Sequence, residues 1–355
     1  MMRVLHITET MASGVLKYIQ EVVSIKENKN LEHYIVYSKR EHTPNNLHQL
    51  FPKSVYLIGV NIKIKGGFLD SLQTLYQQIS NLKPDIIHLH SSIAGFFGRL
   101  ITVFFPKTKV YYTPHGYSFL MTDKNIFKRG FYWSVEFLLS QISGKIVACS
   151  KSEYQYAKKL SPLREVILLE NCINAVKRRK PSSFHKQVIG VGRMEEQKNP
   201  KLFVKIVSEL KKIDSEVKAI WIGDGSLRAE CEELSRELKA NVMFTGWLSN
   251  AETLKNLGQS SVFLQTSKWE GLPYSVLEAF AEGLPVVASD ISSHKELIGD
   301  TYLGFIAKSE QEYTDLVMLL LNDVPLANNM SEENFKRLKL NYMSFVKKLN
   351  CIYKD

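Results

Sequence analysis

The chain has 355 residues, enough for two domains at roughly 100–200 residues each. Hydrophobic residues make up 45% and charged residues 23%, a balance that builds a core and excludes a disordered chain. The net charge of +10 is unevenly placed: residues 1–187 carry 26 Lys and Arg against 12 Asp and Glu, and residues 188–355 carry 20 against 24, so the first half suits an anionic partner.

The first half alternates short apolar runs with helical patterns. Strands are predicted at 4–7, 33–37, 54–57, 85–90, 109–113, 145–149 and 166–169. Helices are predicted at 14–27, 69–82, 93–105 and 151–160, with Val15, Tyr18, Ile19, Val22 and Val23 lining one face of the first. A basic, proline-containing stretch at 176–187 reads as a linker. The rhythm then restarts, with strands at 187–192, 217–222, 242–245, 261–265 and 285–288. Helices follow at 201–212, 227–238 and 274–282, and the spacing of Ser249 and Glu252 marks a capping box. A basic helix at 332–349 could return across the hinge. Strands spaced by helices predict parallel sheets covered on both faces. The expected architecture is therefore α/β: a first domain over 1–175, the linker 176–187, a second domain over 188–330 and a closing helix over 331–355. In such folds ligands sit at the carboxyl ends of the strands.

Four cysteines without a close pair exclude a zinc knuckle or a disulfide scaffold and fit a reducing compartment. The first residues turn polar at once, unlike a signal peptide, and no run of 18 apolar residues is present. Cytoplasmic placement is expected. The stretches 62–68 and 124–133 mix apolar and basic residues, as a segment lying on an anionic bilayer would, and a packed helix with a solvated basic side explains them equally well.

The strongest local feature runs from Glu270 to Ser289: a strand, a Gly-Pro turn, a helix start and a second Gly-Pro turn. Leu272, Pro273, Tyr274 and Ser275 would present the N–H groups of a helix start to an anion. Glu278 sits among apolar neighbours, and its carboxylate could accept hydrogen bonds from paired ribose hydroxyls. The plain structural alternative is a capping Glu270 and a backbone-bonded Glu278. No Asp-x-Asp, Walker loop or zinc-ligand cluster is present, so neither a metal nor a cofactor is expected.

Glu270 and Glu278, embedded in E-G-L-P and A-E-G-L-P-V-V-A-S, resemble the signature of the GT-B retaining glycosyltransferases of family 4. Thr113-Pro114-His115-Gly116, Gly190-Val191-Gly192-Arg193, Ile222-Gly223-Asp224-Gly225 and Phe244-Thr245-Gly246-Trp247 match in order and spacing. The resemblance implies two Rossmann-like domains facing a central cleft. It implies catalytic roles for His115 and Glu270 and a ribose contact for Glu278. The donor diphosphate would be held by Gly14, Arg193, Lys198 and residues Leu272 to Ser275, with the base near Gly246 and Trp247. The chain departs from the family at Ala12-Ser13-Gly14, where a Gly-Gly pair is usual, and at Asn199, which replaces a glycine after Lys198. Cys172 and Asn174 replace a glycine and an aspartate. The resemblance implies transfer of a sugar, most commonly from a UDP-linked donor, to a glycan or polyprenyl-diphosphate-linked acceptor in bacterial surface-polysaccharide synthesis. A degenerate scaffold subunit and a nucleotide-sugar epimerase are the alternatives. Nucleic acid is not an expected partner, because a nucleic-acid binder would leave the glutamates unexplained.

Overall fold

The computed structural model describes residues 1–25, 30–40, 43–63, 66–175, 186–299 and 303–354. Most of the expected linker, and residues 64 and 65 of the first apolar-basic stretch, lie outside them. The chain divides into two compact units: Met1–Asn171 with Met343–Asp355, and Cys172–Tyr342.

The first unit is built on seven strands: β1 (Met2–Thr8), β2 (Leu31–Ser38), β3 (Val55–Val60), β4 (Ile86–His90), β5 (Lys109–Thr113), β6 (Lys145–Ala148) and β7 (Val166–Leu168). All pair in parallel in the order β3-β2-β1-β4-β5-β6-β7. The order reverses between β1 and β4, which creates a switch point where ligands collect in doubly wound sheets. Its helices are α1 (Ser13–Val23), α2 (Phe68–Leu82), α3 (Ser92–Thr102), α4 (Ile126–Ile142) and α5 (Lys151–Leu160). Val4, Leu5, Ile7, Ile86, Ile87 and Leu89 are fully buried, as near-continuous apolar strands covered on both faces require.

One charged cluster sits inside this core. Arg99 of α3 pairs with Glu136 of α4 at 2.7 Å, Tyr112 donates to the same carboxylate at 2.9 Å, and Arg99 Nε donates to the Gly95 carbonyl. Arg99 and Glu136 are thereby buried as each other's partners.

The second unit holds six parallel strands: β8 (Gln187–Val191), β9 (Lys218–Ile222), β10 (Met243–Phe244), β11 (Val262–Gln265), β12 (Val286–Ser289) and β13 (Gly304–Ala307). Their order is β10-β9-β8-β11-β12-β13, with the reversal between β8 and β11. The helices are α6 (Pro200–Ile213), α7 (Arg228–Glu237), α8 (Asn250–Gln259), α9 (Tyr274–Ala281), α10 (Ser292–Ile298) and α11 (Glu310–Asn322). The expected capping box is present at α8: Ser249 accepts from the Glu252 N–H and Glu252 accepts from the Ser249 N–H. The last helix, α12 (Val324–Lys354), is longer than its sequence pattern predicts, and its residues from Met343 onward belong to the first unit. There Tyr353 bonds His88 at 2.7 Å, and the Ile352 carbonyl accepts from Tyr111 at 2.7 Å.

Candidate active site

In the second unit the expected donor-binding residues gather at the carboxyl edge of the sheet. Arg193 and Lys198 lie in the segment joining β8 to α6, and Glu270 lies in the segment joining β11 to α9. These two segments flank the switch point. Asn199 caps α6 in the left-handed conformation (φ 50°, ψ 54°), so the asparagine serves where a glycine is usual. Pro200 then opens the helix with its fixed φ.

Lys198 Nζ meets Glu270 Oε1 at 2.6 Å, with both side chains largely shielded from solvent. Ser267 Oγ donates to the same oxygen at 2.8 Å and Gln265 Nε2 at 3.3 Å, while Gln197 Nε2 reaches Oε2 at 3.4 Å. Gln197 also accepts from Arg193 at 3.2 Å. Glu270 is thus held by four donors and caps no helix; Pro273 stands at the N-cap of α9, which has no side-chain cap. Leu272, Pro273 and Tyr274 are buried there, Ser275 is half-buried, and its hydroxyl oxygen has no hydrogen-bond partner among the described residues. Glu278 lies in the second turn of α9, half-buried.

The glycines of the neighbouring segments let backbones touch. A Cβ on Gly223 would fall 2.1 Å from the Gly192 carbonyl oxygen, so no other residue fits that crossing. Gly223 also bridges Gly246, which adopts φ 71° and lies against Arg228 and Asp224. Gly246 is buried and Trp247 is half exposed beside it. His294 of α10 is buried next to Ser289. Burial holds its imidazole down at about 4, although the Glu270 charge raises it.

In the first unit the turn after β1 carries the strain at Ser13 (φ 50°), and Gly14 follows it in the first turn of α1. Small side chains therefore do provide the tight turn expected there, but the left-handed residue is the serine. His115 follows β5 with φ 56°. Its neighbour Gly116 donates to Glu153 at 2.8 Å, which fixes the loop. Burial lowers His115 to about 3, so the ring is neutral at physiological pH. Sequence reasoning missed the donors Gln197, Gln265 and Ser267 around Glu270, because polar residues in loops carry no periodic signal. It also missed that His115 is hydrogen-bonded to a line of other histidines. The alternating pair His88 and His90 was the available clue, since residues i and i+2 share one face of a strand.

A doubly wound parallel sheet in each unit, with an Arg, a Lys and the start of α9 beside the switch point of the second, defines a GT-B frame. The chain belongs to the family 4 glycosyltransferases: residues 13–176 match the model described as Glycosyltransferase Family 4, and residues 175–337 match Glycosyl transferases group 1. It is 29% identical over 332 residues to an uncharacterized 41.2 kDa protein in the cps region of Klebsiella pneumoniae, covering 87% of each chain. It is 26% identical over 310 residues to the Escherichia coli UDP-Gal:alpha-D-GlcNAc-diphosphoundecaprenol alpha-1,3-galactosyltransferase, covering 80% of this chain and 78% of that one. Among solved structures, Anabaena HepE in complex with UDP and glucose superposes with a TM-score of 0.81 at 15% identity, over 100% of this chain and 98% of the other. That likeness establishes the fold. The protein is a glycosyltransferase.

Proposed function

We propose that the protein is a retaining transferase that moves a hexosyl or N-acetylhexosaminyl group from a UDP-sugar to a hydroxyl of a polyprenyl-diphosphate-linked saccharide, in capsule or O-antigen synthesis. The observation that carries this reading is the cluster of Arg193, Lys198, Glu270 and the uncapped start of α9 around one switch point. The diphosphate lies on Arg193, Lys198 and the N–H groups near Leu272 to Ser275. An arginine fork and a lysine point charge suit its oxygens. Glu278 accepts from the ribose hydroxyls, and the base rests near Gly246 and Trp247.

In the reaction the acceptor oxygen bonds the anomeric carbon as the bond from that carbon to the diphosphate breaks. The acceptor proton passes to the leaving diphosphate. Glu270 and His115 act at the sugar, where charge develops. The E. coli relative is named for a UDP-galactose donor and a diphosphoundecaprenol acceptor, which supports the choice of donor and carrier.

A peripheral position on the anionic face of a membrane fits the same acceptor. Its support is α4, where Ile126, Phe127, Phe131 and Leu138 are exposed beside Lys128. No helix of the described residues is long and apolar enough to cross a membrane.

The test is nucleotide release from a panel of UDP-, GDP- and dTDP-sugars, with and without a polyprenyl-diphosphate saccharide, and analysis of the anomeric configuration of the product. Acceptor-dependent release from a UDP-sugar with retained configuration is expected. An inverted product, or no release from any donor, would overturn the reading.

A further inference from the structure

Five of the nine histidines lie close together in the first unit. Four form a continuous line. His33 Nδ1 meets His6 Nε2 at 3.1 Å, His6 Nδ1 meets His90 Nε2 at 3.0 Å, and His90 Nδ1 meets His115 Nε2 at 3.2 Å. The ring centroids are 5.3, 5.3 and 5.4 Å apart in the same order, with planes only 21–26° from parallel. At these spacings the rings do not lie face over face. They sit nearly edge to edge, so each N–H points along the lone pair of the next ring.

The fifth ring, His88, stands beside the line rather than in it. It is spoken for by Tyr353 at 2.7 Å and Thr113 at 2.8 Å. His6, His88 and His90 do bring nitrogens within 4.8 Å of one another. A metal, however, needs lone pairs converging on one point. Both nitrogens of His6 are already directed at imidazole neighbours, which makes this a hydrogen-bonded line and not a ligand set.

A neutral imidazole has one N–H and one lone pair. Three linked bonds through His6 and His90 therefore force every ring in the line to adopt the same tautomer. Two directions are possible, and the buried end chooses between them. His33 Nε2 is buried without a hydrogen-bond partner among the described residues. If the protons sat on the Nε2 atoms, an N–H would be orphaned there. If they sit on Nδ1, only an acceptor is left over, and buried structures tolerate a bare acceptor better than a bare donor. The protons belong on Nδ1. His115 then accepts at Nε2 and carries its proton on Nδ1, for which no partner is present among the described residues.

We propose that the His33–His6–His90–His115 line is a tautomer lock, which presents His115 to the donor sugar as a fixed Nδ1–H hydrogen-bond donor and not as a base. His90 and His6 are positioning residues that act through His115. The proposal rests on the reading of His115 as a donor-sugar contact. The surroundings agree with a neutral line. Facing it are Tyr18 of α1 and the neutral His88 of β4, which Tyr353 of α12 and Thr113 of β5 already occupy, and Glu153 of α5 is occupied by the Gly116 and Cys149 N–H groups. Burial lowers all four rings, His33 to about 4 and His115 to about 3. A line of hydrogen bonds polarised one way strengthens each link, so the orientation set at His33 carries to the far end.

The test reads the rings directly. Long-range nitrogen–proton NMR of imidazole-labelled protein, without donor, distinguishes the two neutral tautomers and the charged form. His6, His33, His90 and His115 should all show the Nδ1–H tautomer and should not titrate between about pH 6 and 8. His115 as Nε2–H, as a charged ring, or as a mixture of tautomers overturns the lock, and this needs no variant to fold. Kinetics test its use. His90→Leu should lower kcat by about tenfold or more, short of the loss from deleting a donor outright, with nucleotide affinity unchanged. It should also add a limb in the weakly acidic range to the pH profile. His90→Asn, whose amide still donates to His115 Nε2, should restore most of the rate. Equal loss in both variants, or none in His90→Leu, overturns the positioning role. Full activity in His115→Ala with the NMR pattern intact overturns the placement of His115 at the donor, and with it the claim that the lock serves transfer.

Discussion

Replacing Lys198 by Met would remove the ammonium that meets Glu270 at 2.6 Å while keeping the stem that packs along Gly192. Breaking a buried ion pair from one side costs about 3–5 kcal/mol when the remaining charge is left without support. Glu270 would not be left so, because Ser267, Gln265 and Gln197 still donate to it. The expected loss is therefore about 2 kcal/mol, within the range for one charge-assisted hydrogen bond. In a unit of this size that corresponds to about 4–8 °C in Tm. Glu270→Gln should also destabilise, since it strands Lys198 near a neutral amide. The double variant should lose less than the sum of the singles, with a coupling of about 1–3 kcal/mol. Urea unfolding followed by tryptophan fluorescence measures this cleanly, because Trp221, Trp247 and Trp269 lie in the second unit and only Trp133 in the first. Single losses that add within about 0.5 kcal/mol would refute the idea that these two groups hold each other.

Glu278→Gln should weaken calorimetric binding of bare UDP by about 1–3 kcal/mol, while Glu270→Gln leaves that affinity nearly intact and cuts turnover sharply; equal UDP affinity in wild type and Glu278→Gln defeats the assignment. Turnover should persist in excess EDTA, because Arg193 and Lys198 supply the charge for the diphosphate; complete loss restored by magnesium counts against this. Binding to anionic liposomes should fall as salt screens the basic first half, and equal binding to neutral liposomes would show that charge is not the attraction. Acid should destabilise the fold: His33, His88 and His115 are held neutral, down to about 4, 3 and 3, whereas unfolded histidines protonate near 6.5. The stability from their burial is present above about pH 6.5 and is lost as the pH falls toward 3, because the unfolded chain then binds more protons. A flat stability profile from pH 7 to 4, by urea titration, would contradict this.

Much of the architecture follows from local pattern. Lys109–Thr113 and Lys151–Leu160 have the bounds that their apolar spacing predicts, and the Ser249 capping box is visible three residues ahead of its partner. Arg193 and Glu270 stand out in the sequence as charged residues beside a glycine at a strand end, Lys198 as the basic residue that follows in the same segment, and Glu278 as a carboxylate among apolar neighbours. Their contacts were not legible. Lys198 and Glu270 are 72 positions apart, and only the order β9-β8-β11 brings the segments after β8 and β11 side by side. The strand β13 and the helix α10 escaped notice, since a four-residue strand and a seven-residue helix give too few positions for a period to show, and so did the 13-residue α11, whose apolar residues run unbroken from Leu316 to Leu321. The histidine line shows the division most plainly. Sequence places His88 and His90 on one face of a strand by alternation alone. Parallel register then sets His6 beside His88, and the loop after β5 turns His115 back to His90. Hydrogen bonds between residues so far apart in the chain depend on which strands become neighbours, and that is decided only when the sheet forms.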